Sequence, residues 1–176
     1  MPSSYQPPTR ADKSETAGGH TKSQTIDSNL SHSRSTVAML LEGKGDTVVT
    51  VRATDTVHDV VMLLREKSIG AVLVTDQDGT LQGILSERDI VRRMAETPGQ
   101  TLPQSVDGLM TRDVQKCVPE DLLVDTLRRM SDGRFRHMPV LRDGKLCGLI
   151  SIGDVVQYRL KELEYEALKM KQMIVG

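Results

Sequence analysis

Apolar positions along this chain come in short bursts whose spacing switches from helical to strand-like, and the switch happens twice. Val57, Val60, Val61 and Leu64 recur at intervals of three and four, which predicts a helix with one apolar face, stopped by Gly70 and capped by Thr54 or Asp55. The unbroken run Ala71-Val72-Leu73-Val74 predicts a buried strand. Asp78-Gly79 then signals a hairpin, setting residues 81–85 antiparallel to that strand. With residues 48–51 as a leading strand, the unit reads strand, helix, strand, strand, helix. Its first helix is long enough to cross over between parallel strands.

The same order returns from residue 114 onward. Strands are expected at residues 114–118, 137–141 and 146–150, a helix at 121–132, and a turn at Asp143-Gly144. Val48 aligns with Val114, Asp55 with Asp121, Asp59 with Asp125 and Gly83 with Gly148, across one gap opposite Gln77. This is an internal duplication. The fold expected is α/β in the α+β sense: two repeats with pseudo-twofold symmetry, each a small mixed sheet covered by helices. A unit of about fifty residues has a marginal core, so the halves are expected to bury their apolar faces against each other.

Short helices are expected to lead into each copy, near residues 36–43 and 105–110. The chain thus divides into an arm (1–35), a first repeat (36–95), a linker with Pro98, Gly99 and Pro103 (96–104), a second repeat (105–160) and a helical extension (161–176). The arm is polar and lacks the apolar stretch of a signal peptide, so disorder is expected there. In the extension, Val156, Leu160, Leu163, Ala167, Met170 and Ile174 step by four and three, a heptad seam. That seam serves either to pack on its own domain or to join a second protomer; a homodimer is the expectation.

Composition narrows the function. A formal net charge of -1, one Phe, three Tyr and no Trp offer neither a basic field nor stacking rings for nucleic acid. Cys117 and Cys147 stand alone, without the spacing of a zinc site or a disulfide framework, and read as small hydrophobes in a reducing cytoplasm. No apolar run is long enough to span a membrane. No nucleophile elbow or metal-ligand spacing is present, so an enzyme is not expected.

The chemistry sits in a repeated heptapeptide. Gly83-Ile84-Leu85-Ser86-Glu87-Arg88-Asp89 and Gly148-Leu149-Ile150-Ser151-Ile152-Gly153-Asp154 share glycine, serine and aspartate at equal spacing. Each serine falls where a strand ends and a helix begins, a place whose unpaired N–H groups suit phosphate. Each aspartate lies one turn further along, within reach of a ribose diol. Ser-x-x-Asp is equally close to a capping box, in which the acid only returns a bond to the helix start; occurrence at two equivalent places favours the nucleotide. The copies differ in their cations: Arg134, Arg136 and His137 stand where copy one has Ser68, Gly70 and Ala71, while Arg88 stands opposite Gly153. Lys44 lies in a Gly-Lys-Gly loop that lacks the glycine spacing of a nucleotide-binding phosphate loop.

Over residues 36–160, with Leu109-Met110-Thr111, His137-Met138-Pro139-Val140 and both Gly-x-x-Ser-x-x-Asp endings, the chain resembles the cystathionine beta-synthase (CBS) domain, which occurs in tandem as a Bateman module. The resemblance implies a non-catalytic regulatory pair, often dimerised into a disk, that binds adenosine compounds between repeats: AMP foremost, or ADP, ATP, NAD(H) or S-adenosylmethionine. A constitutive dimeric scaffold with vestigial clefts is the alternative. The resemblance also implies how residues are shared. Ser151, Asp154, His137, Met138 and Pro139, with Arg136, would meet Lys44, Thr47 and Val49 in one cleft. Ser86, Arg88, Asp89 and Ala71 would meet Thr111 and Gln115 in the other. Both clefts are expected to bind, the Asp154 cleft more strongly, and to report to a regulated protein partner.

Overall fold

The computed structural model describes residues 34–45 and 47–175. The arm expected before residue 34, together with Asp46 and Gly176, lies outside the described residues. The element order is α1 (Val37–Lys44), β1 (Thr50–Val51), α2 (Val57–Lys67), β2 (Ala71–Thr75), β3 (Leu81–Ser86), α3 (Glu87–Glu96), a 3-10 turn at Val106–Gly108, α4 (Leu123–Asp132), β4 (His137–Arg142), β5 (Lys145–Ser151) and α5 (Ile152–Val175).

In the first repeat β1 runs parallel to β2, and β2 pairs antiparallel with β3. This is the crossover-plus-hairpin expected from the pattern. In the second repeat β4 and β5 pair antiparallel, closed by Asp143 and Gly144, whose φ values of 50° and 76° are those of a tight two-residue hairpin turn. The strand expected at residues 114–118 does not form. Only Cys117 bridges to Val140, in the parallel sense that a full strand would have had. Likewise β1 covers two residues where four were expected. The 3-10 turn replaces the helix expected at 105–110. Thr56, and neither Thr54 nor Asp55, caps α2: Asp59 Oδ2 accepts from its N–H and hydroxyl, and Thr56 Oγ1 accepts from Asp59 N–H at 3.2 Å. Asp55 instead accepts from Arg52 N–H at 2.8 Å.

The halves do not share one core, and the expectation of apolar faces buried against each other is corrected. One cluster holds Val51, Val57, Val60, Leu64, Val72, Val74, Leu85 and Ile90; the other holds Cys117, Leu123, Met130, Met138, Val140, Ile150 and Val155. Each is completed by a residue borrowed from the segment that precedes the opposite repeat. Val106 enters the first cluster, and Val37 with Leu40 enters the second. The exchange is reciprocal in the backbone. Val37 N–H donates to Asp121 O and Val106 N–H to Asp55 O, both at 2.9 Å, while Leu123 N–H donates to Ser35 O and Val57 N–H to Gln104 O, also at 2.9 Å. A marginal repeat core is thus made sufficient by the neighbour's lead-in.

Candidate ligand cleft between the repeats

Where β3 passes into α3, the N–H of Glu87 donates to Gly70 O at 3.1 Å; where β5 passes into α5, Ile152 N–H donates to Arg136 O at 3.0 Å. Each bond ties a helix start to the residue that precedes the neighbouring strand of its own repeat. The starts of β2 and β4 lie close together: a Cβ on Gly70 would lie in van der Waals contact with the His137 ring, at 3.4 Å.

Both aspartates cap their helices. Asp89 Oδ2 accepts from Ser86 N–H at 3.0 Å and from its hydroxyl at 2.5 Å; Asp154 Oδ2 accepts from Ser151 N–H and hydroxyl at 2.7 Å each. The capping role is therefore real in both copies. It engages Oδ2 and leaves Oδ1 out of these bonds. Burial alone raises the Asp154 pKa, but bonds from Lys44 and Ser151 outweigh it and hold the carboxyl below its ordinary value.

Beyond the caps the two sites diverge. Beside Asp89 opens a cleft of about 460 Å³, lined by Ser86, Arg88, Asp89 and Arg92 from α3 and its cap, Ile84 and Gly70 from the first sheet, Thr111, Asp113, Val114 and Gln115 from the lead-in to copy two, and Gly133 to His137 before and at the start of β4. Glu87 joins them, so the lining carries three acids against four arginines. Arg88 Nη1 donates to Arg134 O at 3.2 Å across the repeats. The lead-in is fixed by a backbone pair, Ile84 N–H to Thr111 O at 3.0 Å and Thr111 N–H to Ile84 O at 2.9 Å.

Beside Asp154 the lead-in is fixed differently. Lys44 Nζ donates to Asp154 Oδ2 at 2.6 Å and to the carbonyl of Leu149 at 2.8 Å. Leu149 is the counterpart of Ile84, so an ammonium here takes the acceptor that a peptide N–H takes in the first copy. Leu41, one turn earlier on α1, packs on Gly148, where an added Cβ would meet its methyls at 2.9 Å. The end of α1 thus places its lysine ammonium on the Asp154 carboxylate.

The sequence-derived residues sort accordingly. Ser86, Arg88, Asp89, Thr111 and Gln115 line the open cleft together. Arg136 and His137 line that cleft too, although they were assigned to the Asp154 side. His137 also feels Lys44 and Asp154, so it stands between the two sites; burial first, then Arg136 and Lys44, pushes its pKa below the ordinary value. Met138 and Pro139 are corrected: Met138 is fully buried in the second core, and Pro139 is buried with its carbonyl accepting from Cys117 N–H at 3.0 Å. Ala71 is buried, and Val49 packs against the first core. Thr47 is exposed. Met138 and Pro139 are neighbours on β4 and so point to opposite faces of the strand, both of them covered.

Sequence reasoning missed Arg92 and Phe135. Arg92 sits four residues after Arg88 on one helix, a spacing that places both on one face. Phe135 is the single Phe of the chain, half-buried at the cleft and packed on the second core. Burial pushes the Cys117 thiol up to about 12, that of a structural cysteine. Among the described residues there is no cluster suited to a metal and no helix long and apolar enough to cross a membrane.

Comparison with known proteins agrees with this architecture. The chain is 42% identical to the CBS-domain containing protein ATU1752 from Agrobacterium tumefaciens, with a TM-score of 0.70 over 71% of this chain and 99% of that one. At 18% identity it shares the fold of the CBS domain pair of MJ0100, a structure in complex with 5'-methylthioadenosine and S-adenosyl-L-methionine (TM-score 0.66, 74% of this chain, 99% of that one). Among curated relatives it is 31% identical to the mitochondrial protein CBSX3 of Arabidopsis thaliana, covering 69% of this chain and 61% of CBSX3. It is 30% identical to CBSCBSPB1 of the same plant, covering 70% of this chain but 23% of that protein. The CBS domain profile matches residues 46–96 and 106–161, one match per repeat, and the chain belongs to the CBS-domain family.

Proposed function

We propose that this CBS pair is a non-catalytic sensor that takes a phosphate-bearing adenosine compound in the cleft beside Asp89 and passes its occupancy to a partner protein. The observation that carries the reading is the composition of that cleft: a helix-capping serine and aspartate facing four arginines in about 460 Å³, within the range of roughly 300–1,000 Å³ typical of small-molecule sites. Asp89 Oδ1 holds the ribose diol, Phe135, Ile84 and Val114 flank the base, and Arg88, Arg92, Arg134 and Arg136 with the start of α3 take phosphate. The ligands of the MJ0100 pair support an adenosine compound as the class. The arginines favour AMP, ADP, ATP or NAD(H) over S-adenosylmethionine, whose sulfonium is cationic.

This reading reverses the expected order of the clefts. The Asp154 site is the weaker one because Lys44 places its ammonium on Oδ2 and on the Leu149 carbonyl, crowding the approach to that carboxylate. A ligand acts as a signal only by preferring one arrangement of the repeats, and the cross-repeat bond of Arg88 to Arg134 is the contact it would change. Calorimetry with AMP, ATP, NADH and S-adenosylmethionine tests the proposal: heat with the first three and little with the last is expected. Silence with all four would leave the constitutive scaffold as the reading.

A further inference from the structure

The helix α5 has two faces with different fates. Val155 is buried in the second core, Tyr158 packs against it, and Glu162 accepts bonds from Ser35 Oγ and from Arg159 Nη1, the latter at 2.7 Å. At 3.6 residues per turn, 155, 158 and 162 define the face toward the domain, and the stripe 156, 160, 163, 167, 170, 174 is centred roughly a third of a turn around the helix from it. Its large members are exposed, from 45% at Leu163 to 83% at Ile174. The seam therefore does not pack on its own domain. Further along, the domain-side face becomes polar, with Lys169 Nζ 4.7 Å from the Tyr165 ring centre and Gln172 beyond.

We infer that this stripe pairs with the same stripe of a second copy of the chain, forming a parallel, in-register two-stranded coil. Three observations converge on it. The part of α5 beyond the domain is about as long as the shortest helix, roughly 12–15 residues, that is even marginal alone in water, so it needs a packing partner. The apolar step of four and three matches a coil seam. Flanking charge then sets the direction. In a parallel pair Glu166 meets Lys171 of the second copy, five residues on, and the twofold axis makes this contact twice. An antiparallel pair at full overlap would set Glu164 against Glu164 and Glu166 against Glu166, which repel. Slipping a heptad relieves that only by giving up apolar layers.

The full chain tests this by sedimentation equilibrium together with directed cross-linking. Twice the 19.4 kDa chain mass is expected, falling to the single mass in Leu160→Glu/Leu163→Glu, whose altered side chains are exposed and leave the domain's circular dichroism in place apart from the loss of distal helix. In a Cys147→Ser background, Ile174→Cys is expected to form a dimer-linking disulfide under mild oxidation, since a parallel pair brings the two 174 positions together. A monomeric native chain, or a dimer untouched by the double substitution, would overturn the interface. A dimer that α5 holds but that fails to cross-link at 174 would overturn the parallel direction.

Discussion

The ammonium of Lys44 lies 2.6 Å from Asp154 Oδ2, spanning 110 residues of sequence to occupy the acid that copy one leaves facing an open cleft. The pair is partly solvent-exposed and so contributes little to stability, about 1 kcal/mol or less. Its effect is on access. Lys44→Met is expected to raise the stoichiometry of nucleotide binding from one to two per chain while barely changing the urea midpoint. Calorimetric titration of both proteins measures this, and an unchanged stoichiometry would show that something other than Lys44 closes the site.

In the proposed function, Arg136 is the residue whose loss would separate recognition of phosphate from recognition of the nucleoside. A hydrogen bond to a charged group contributes about 1.5–3 kcal/mol, so Arg136→Ala is expected to weaken AMP or ATP roughly ten- to a hundredfold. Adenosine, which carries no phosphate, should bind native and variant protein alike. Equal loss for both ligands would place Arg136 in support of the cleft wall and not on phosphate.

His137 makes stability depend on pH in a definite direction. Its folded pKa lies below the ordinary 6.5 because burial, Arg136 and Lys44 disfavour the imidazolium. Below pH about 6.5 the unfolded chain binds a proton that the folded chain refuses, so stability is full above that pH and falls as pH drops toward the folded value, levelling beneath it. Urea melts at pH 7.5 and 5.5 should show a smaller loss for His137→Gln than for the native chain. A loss of the same size in the variant would assign the effect to another group.

Gly83 and Gly148 occupy equivalent positions but answer differently to a methyl group. At Gly83 an added Cβ would lie 2.8 Å from the backbone carbonyl of Thr111, which the bridge to Ile84 holds in place. At Gly148 it would meet only the methyl ends of Leu41, at 2.9 Å, which can rotate. Gly83→Ala is therefore expected to cost about 1–3 kcal/mol and to weaken nucleotide binding, and Gly148→Ala to cost less. Thermal melts with and without AMP measure both effects; a reversed order would contradict the docked lead-in.

What could be read from sequence was whatever depends on local spacing. The hairpins at Asp78-Gly79 and Asp143-Gly144, the parallel crossover through α2 and the caps at Ser86 and Ser151 follow from turn chemistry and periodicity within a few residues. What escaped depends on contacts between halves. The strand expected at 114–118 loses its partner except at Cys117, and no pattern of residues announces that. Nor does any spacing reveal that Arg134 and Arg136, written into copy two, face the cleft of copy one. Met138 and Pro139 were drawn to the cleft by a family pattern, whereas β4 is covered on both faces where they sit, so each side chain is buried.

The helix α5 begins at the Ser151 cap, inside the pair, and runs unbroken for 24 residues, about 36 Å at 1.5 Å per residue. Such a rod works as a lever arm: a tilt of a few degrees at its root, too small to disturb the core around Val155, moves its tip by a couple of ångströms. Anything that gripped the tip would therefore receive an amplified copy of a displacement at the root of the helix, with no hinge needed in between.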